Sequence, residues 1–259
     1  MLTDLPSRTA MTATGSVGGV LGLITGSGFD HLSDLDDSES DVVATPFGDV
    51  PVTRGLLDGF PVVALKRHGI GHSVPPHRVN YRANVRAIHE AGATAAVATA
   101  VSGAIDPSLT LGDLVLIDQF IDATHGRSGT FFDDEVRHTD MTEPYDPALR
   151  GILREVGEAA GIPLVDGGTY VCTNGPRFET PAEIRLYQAA GATLVGMTGC
   201  PEVALAIELG LPYASIGVIS NPAAGNNDKP LALDDIRAAM AAAATPVRIL
   251  LAGAAAKLA

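Results

Sequence analysis

Tryptophan is absent from this chain of 259 residues, and aromatic residues of all kinds make up 5% of it. Cysteine occurs twice, at Cys172 and Cys200. Two cysteines cannot build the disulfide framework of a small secreted scaffold or a four-cysteine zinc knuckle. Basic residues are also few: 17 Lys and Arg stand against 30 Asp and Glu, a formal net charge of −13. Such a chain lacks the basic surface that neutralises a nucleic-acid backbone, so no nucleic-acid partner is expected. A locally cationic site for a small anion is still compatible with that charge. No uninterrupted apolar run reaches the ~18 residues of a membrane-spanning helix, so no membrane partner is expected either. The first ~19 residues lack the basic start and apolar centre of a secretory signal. Residues 1–19 read as a flexible leader, with Met11 an alternative start, and a reducing cytoplasm is the expected location.

What is present is an α/β pattern. Apolar residues make up 46% and charged residues 18%, a globular balance. Continuous apolar runs predict strands over Val20–Thr25, Pro61–Lys66, Ala95–Val101, Leu114–Ile121, Thr169–Thr173, Thr193–Met197 and Tyr213–Ser220. Unbroken apolar runs fit strands buried on both faces. Helices are predicted over Arg78–Ala91, Pro147–Ala160, Pro181–Ala190, Pro201–Leu209 and Leu233–Lys257. Thr180-Pro181-Ala182-Glu183 carries a capping box with proline at the first helical position, and Gly191 is a stop. No repeat or linker divides residues 20–259, so one α/β domain is expected, a mixed, mostly buried sheet flanked by helices. His125–Glu143 is a long, polar, Asp-rich connection of the kind that is functional or disordered.

Ligands of open α/β sheets bind beyond the carboxyl ends of strands. Six strand ends carry unusual residues here. Gly26-Ser27-Gly28 can turn backbone N–H groups toward an anion, or form a plain tight turn. It is no dinucleotide fingerprint, because His31 stands where the third glycine belongs. Arg67-His68 ends a second strand and offers a guanidinium fork suited to phosphate. His68, His72 and His77 invite a zinc reading, but the glycines and prolines between them preclude a helical ligand pair, and no metal is expected. Asn80 and Tyr81 read as helix-start packing. Thr99-Ala100-Val101-Ser102-Gly103 exposes backbone donors or simply ends a strand. Phe178 and Glu179 precede one helix, and Met197 and Thr198 precede another. An isolated Phe or Met is ordinarily core, and a carboxylate before a helix can serve only the dipole. Together, however, these residues suggest a pocket holding a flat ring. Asn221-Pro222 after an apolar strand is a turn former, or a donor–acceptor suited to the edge of a heterocycle.

In this order the motifs resemble one family: the trimeric purine nucleoside phosphorylases and methylthioadenosine phosphorylases, nearest the methylthioinosine branch. The matching pieces are Gly26-Ser27-Gly28, Arg67-His68-Gly69, Asn80 to Asn84, Asp118 to Asp122, Gly175 to Thr180 with Ala182-Glu183, Gly196-Met197-Thr198, and Pro201 to Ala206. They run from about Gly22 to the final helix. The resemblance implies a homotrimer with sites near subunit interfaces, no cofactor, and inorganic phosphate as co-substrate beside a purine nucleoside. Carried over by position, Ser27, Arg67, His68, the backbone around Ala100, and Thr198 would hold phosphate. Met197 would lie against the ribose and Phe178 against the base. Glu179 would accept from a ring N–H, and Asn221 would bind the base edge, so that Asn221, Glu179 and His68 carry the catalysis. His138 matches a residue that reaches the neighbouring subunit's pocket in the methylthio branch.

The departures from the family pattern are informative. Enzymes for 6-aminopurine nucleosides typically place Asp where Asn221 stands and a small residue at Glu179. Asn can donate to a 6-keto oxygen and Glu can accept from N1–H, so the pair points to a 6-oxopurine. The stretch from Lys229 to Leu233 lacks the histidine that inosine and guanosine phosphorylases use for a 5′-hydroxyl. Leu233 would suit a methylthio group instead. The expected reaction is phosphorolysis of 5′-methylthioinosine, inosine or guanosine. A 5′-methylthioadenosine phosphorylase, a nucleosidase and a non-catalytic nucleoside-binding protein are the alternatives.

Overall fold

The computed structural model describes residues 18–29, 35–226 and 233–259. The expected leader lies, up to residue 17, outside the described residues. Along the chain run strands β1 (Leu21–Thr25), β2 (Asp36–Val43), β3 (Val50–Leu57) and β4 (Phe60–Lys66), then helix α1 (Tyr81–Glu90) and strands β5 (Ala95–Ala104), β6 (Leu114–Leu116) and β7 (Gln119–Asp122). Helix α2 (Pro147–Ala160), β8 (Val165–Asp166), β9 (Thr169–Cys172), α3 (Pro181–Ala189), β10 (Leu194–Gly196), α4 (Glu202–Glu208), β11 (Tyr213–Pro222) and α5 (Leu233–Leu258) complete it.

Among the described residues all the strands join one mixed sheet of eleven. One path runs β2-β3-β4-β1-β5-β10-β9-β7, and a branch leaves β5 through β11 to β6 and β8. The branching follows from the length of β5. Its first half pairs with β1 in parallel, through Ala95–Ala98. Its last residues, Gly103 and Ala104, pair with β10 in the antiparallel sense. β11 runs along the other edge of β5 from Ala96 to Ala104. Past Thr25 the β1 chain leaves β5, and the sheet opens there. The carboxyl ends of β1, β4, β9, β10 and β11 surround that opening.

Helices cover both faces of the sheet. On one face Val85 and Ile88 of α1 and Val203 and Leu205 of α4 are buried in one cluster with Ile24, Leu65 and Ala98. On the other, Leu149 and Leu153 of α2 and Val247, Leu250 and Leu251 of α5 pack with Leu21, Leu23, Val97 and Ile216. Full burial of each such side chain is worth about 1.5–3 kcal/mol. The segment Ile236–Leu258 is long and apolar enough to cross a membrane by length and composition. It is not an uninterrupted apolar run, because Arg237, Arg248 and Lys257 punctuate the alanines. Its buried stripe is committed to the sheet, which makes it a core helix here.

The elements differ from the sequence expectation in several places. Strands β2 and β3 form an unexpected hairpin, and β2, Asp-Asp-Ser-Glu-Ser-Asp-Val-Val, is exposed almost throughout. The run expected as one strand over Leu114–Ile121 is two: β6 pairs with β11, and β7 crosses to β9. The break falls at Asp118, whose carboxylate accepts from the Gly168 N–H at 3.0 Å. The helix expected from Arg78 begins at Tyr81, because Asn80 caps it by accepting from the Ala83 N–H. The capping box of α3 is present as expected.

Candidate active site

A cavity of about 620 Å³ fills the opening between the strand ends. That size suits a nucleoside with a small co-substrate. Every expected site residue from β1, β4, β10 and β11 reaches it: Ser27, Arg67, His68, Met197, Thr198 and Asn221. Phe178 and Glu179, between β9 and α3, complete the wall.

One end of the cavity gathers Ser27, Arg67 and His68. Gly26 continues β1 into a turn where a side chain has no room, since a Cβ would sit 2.7 Å from Arg67 Nη1. Gly28 has φ of +74°, and a Cβ there would collide with Met240 of α5 at 2.0 Å. Both positions therefore require glycine, and Ser27 between them lines the cavity. Its hydroxyl lies 3.4 Å from His72 Nε2.

Arg67 is buried at the end of β4. Nε and Nη2 each donate to one carboxylate oxygen of Glu202 at 2.7 Å, and Nη1 donates to the Thr99 carbonyl at 2.9 Å. Glu202 is fully buried and also accepts from the Tyr213 hydroxyl at 2.7 Å. Burial alone would lower the guanidinium pKa, but the charge and hydrogen bonds of Glu202 outweigh it and hold the pKa above its ordinary value. The fork expected to clasp phosphate is thus clasped by a protein carboxylate. Three of its five N–H groups are engaged, and the pair as a whole is electrically neutral.

His68 follows directly. Nδ1 donates to the Val74 carbonyl at 2.8 Å, which leaves Nε2 as an acceptor. Burial, with the Arg67 charge as a lesser cause, pushes its pKa down to about 4, so the ring is neutral at pH 7. The His68 and His72 rings stack at 4.3 Å, tilted by 35°. Among the described residues no three His, Cys, Asp or Glu side chains form a metal-binding group.

The other end gathers Phe178, Glu179 and Asn221. Phe178 is 49% exposed, so it forms a wall and not core. Glu179 Oε1 accepts from the Thr173 hydroxyl at 2.6 Å, which fixes the carboxylate. The α3 capping box starts at the next residue, with Thr180 N–H donating to Glu183 at 2.8 Å. The backbone carrying Glu179 is therefore anchored on both sides. Asn221 is buried. The β11 register shifts between Ile219 and Asn221, a bulge-like irregularity of the kind that re-aims side chains. Asn221 Oδ1 accepts from the Ser220 hydroxyl at 2.8 Å, and Nδ2 donates to the Pro222 carbonyl at 2.8 Å. One Nδ2 N–H remains for a ligand.

Of the remaining expected residues, one is placed differently. Ala100 is inside β5, paired with Gly217, and the cavity wall begins one residue later at Val101, Ser102 and Gly103. His138 is exposed in the connection between β7 and α2, outside the residues lining this chain's own cavity. Leu233 starts α5, but its side chain lies outside the described residues. Among the described residues of that helix, Ile236 and Met240 line the cavity. Sequence reasoning gave no role to these two, nor to Thr173 or Glu202. For Glu202 the signal was faint: an acid at the start of a helix is ordinary, and only its burial marks it.

The phosphorylase superfamily model matches residues 20–256. This chain belongs to the phosphorylase superfamily. Within that superfamily it is similar to the 6-oxopurine nucleoside phosphorylase of Pyrococcus furiosus, with 42% identity over 83% of this chain and 84% of the relative. It is similar as well to a probable S-methyl-5′-thioinosine phosphorylase of Methanothermobacter thermautotrophicus, with 43% identity over 84% of this chain and 76% of the relative. Among solved structures it is similar to the methylthioadenosine phosphorylase of Schistosoma mansoni in complex with adenine. There the TM-score is 0.87 and the identity 34%, over 92% of this chain and 91% of that one.

Proposed function

We propose that this superfamily member catalyses phosphorolysis of 6-oxopurine nucleosides, giving the free purine and a ribose 1-phosphate. The observation that carries this reading is the pairing of Glu179 and Asn221 in one cavity whose other end holds Ser27, Arg67, His68 and Thr198. Glu179 is held by Thr173 through one oxygen, and the other is left to accept from a base N–H. A 6-oxopurine offers N1–H to it. A 6-aminopurine offers the bare N1 lone pair, which a carboxylate repels. A cavity whose polar groups are left unpaired discriminates strongly against the wrong base. The relatives named for 6-oxopurine and methylthioinosine nucleosides support the same base.

In the reaction a phosphate oxygen forms a bond to C1′ as the C1′–N9 bond breaks, through an oxocarbenium-like sugar. The bonding pair leaves with the purine, which takes a proton from solvent. The free Nδ2 N–H of Asn221 stabilises the charge gathering on the base, and Glu179 holds N1–H. At the far end neutral His68 presents an acceptor, which suits the remaining P–OH of hydrogen phosphate. Because Arg67 is neutralised by Glu202, the anion is held by aimed dipoles and hydroxyls rather than by net charge. No cofactor is needed beyond phosphate.

Ile236 and Met240 give the cavity an apolar margin beside Ser27, which favours a 5′-methylthio group over a 5′-hydroxyl. A cytoplasmic homotrimer, with His138 reaching a neighbour's cavity, belongs to the same reading, and sedimentation analysis tests the assembly. Base release from methylthioinosine, methylthioadenosine, inosine and guanosine, each with and without phosphate, tests the function. Phosphate-dependent release from the oxopurine nucleosides, fastest with methylthioinosine, is the expected result. Preference for methylthioadenosine would overturn the assignment of Glu179 and Asn221.

A further inference from the structure

We infer that Arg127 is a positioning residue that sets the spacing between the base wall and the ribose–phosphate wall of the cavity, an assignment that rests on the phosphorylase reading. Arg127 lies in the long connection after β7 and is not among the residues lining the main cavity. Its guanidinium instead stands behind the wall, where four main-chain carbonyls converge on it. Nη2 donates to the carbonyls of Met197 at 2.9 Å, Asn174 at 3.0 Å and Thr173 at 3.4 Å. Nη1 donates to the Cys200 carbonyl. Thr173 and Asn174 follow β9, Met197 follows β10, and Cys200 precedes α4.

These carbonyls belong to the two segments that carry the site. Thr173 donates its hydroxyl to Glu179, so whatever fixes Thr173 fixes the base acceptor. Met197 and Thr198 form the ribose and phosphate side. Four carbonyl dipoles pointing at one locus repel one another unless a donor with several N–H groups in a plane sits between them. Arg127 supplies that plane. Nη1 also donates to the Tyr81 hydroxyl at 3.2 Å, and the guanidinium lies 5.0 Å from the Tyr81 ring centroid. Tyr81 in turn donates to the Pro76 carbonyl at 3.0 Å, and Pro76 lines the cavity from a third side. One cation therefore ties three segments of the wall together from outside the ligand space.

A lysine cannot replace it. A single ammonium is a point donor and cannot reach carbonyls on both strand ends and the Tyr81 hydroxyl at once. Displacing catalytic groups by about 1 Å costs on the order of 10²-fold in rate. The expected result for both Arg127→Lys and Arg127→Ala is thus a fall of about 10²-fold in kcat/KM, with kcat reduced as well as KM raised. A second cavity of about 350 Å³, lined by Gly126, Arg127 and Ser128, reaches this position from outside. Millimolar guanidinium chloride, far below denaturing concentration, can enter there and should restore part of the activity of Arg127→Ala.

The experiment measures turnover, guanidinium rescue and amide hydrogen exchange for Arg127→Ala and Arg127→Lys. Arg150→Ala serves as control, since Arg150 holds Asp166 and lines neither cavity. Support is faster exchange confined to Thr173–Glu179 and Met197–Gly199, with activity that guanidinium restores in Arg127→Ala and not in Arg150→Ala. Unchanged exchange in those two segments overturns the proposal whatever the turnover. So does activity within threefold of the parent protein. If the parent protein itself performs no phosphorolysis, the functional reading fails, and the exchange pattern alone still decides the role of Arg127.

Discussion

Replacing Glu179 by Gln changes one atom and should change which base the cavity accepts. The carboxamide oxygen can keep the hydrogen bond from the Thr173 hydroxyl, now 2.6 Å from Oε1. The amide nitrogen then takes the position of the free carboxylate oxygen and faces the base. Toward a 6-oxopurine it opposes N1–H with another N–H, so the bond is lost. A hydrogen bond to a charged group is worth about 1.5–3 kcal/mol. At about 1.4 kcal/mol per tenfold, kcat/KM for inosine should fall by roughly 10- to 150-fold. Toward a 6-aminopurine the same amide can donate to N1, so the preference for inosine over adenosine should narrow by more than the inosine loss alone. Glu179 is only half-buried, so the melting temperature should hardly move. Steady-state rates on inosine and adenosine at saturating phosphate measure both effects. A Glu179→Gln variant that keeps its inosine kcat/KM within threefold, with unchanged selectivity, would refute the role given to this carboxylate.

Three further outcomes are expected. Asn221→Ala should lower kcat by about 10²- to 10³-fold while the KM for phosphate stays within a few-fold, because the lost donor acts on the leaving base; rates across a phosphate series check this. Glu202→Gln leaves the buried Arg67 charge without its counter-charge, and breaking such a pair costs about 3–5 kcal/mol. Urea unfolding should show that loss, and the KM for phosphate should rise as Arg67 reorients. The His68 ring has its pKa pushed down to about 4 from an ordinary 6.5. The unfolded chain therefore binds the extra proton first, and the His68 contribution to stability is lost as pH falls from about 6.5 toward 4. Unfolding curves from pH 7.5 to 4 should be flatter for His68→Asn over that window.

The parallel core was legible because strands buried on both faces leave unbroken apolar runs, and β1, β4, β5 and β11 have them. Strand β2 was not, because its side chains face solvent and only its backbone pairs with β3. A signal for the next connection existed. Asp58-Gly59 joins the paired residues Leu57 and Phe60 with positive φ at both positions, as a two-residue hairpin turn requires. The cavity wall was legible at its strand ends, where Ser27, Arg67, Glu179 and Asn221 interrupt apolar sequence. It was not legible where function depends on burial or on reach through space. Glu202 reads as a helix-start acid until its contact with Arg67 is seen. Ile236 and Met240 read as core in an alanine-rich helix, and Arg127 reads as one more charge in a polar loop.

Phosphate, not water, is expected to cleave the nucleoside. Phosphorus NMR of a reaction with methylthioinosine tests it most directly. A new sugar phosphate ester should appear in step with free hypoxanthine, with no release when phosphate is omitted. Hypoxanthine released at the same rate without phosphate, with free methylthioribose as the other product, would contradict it.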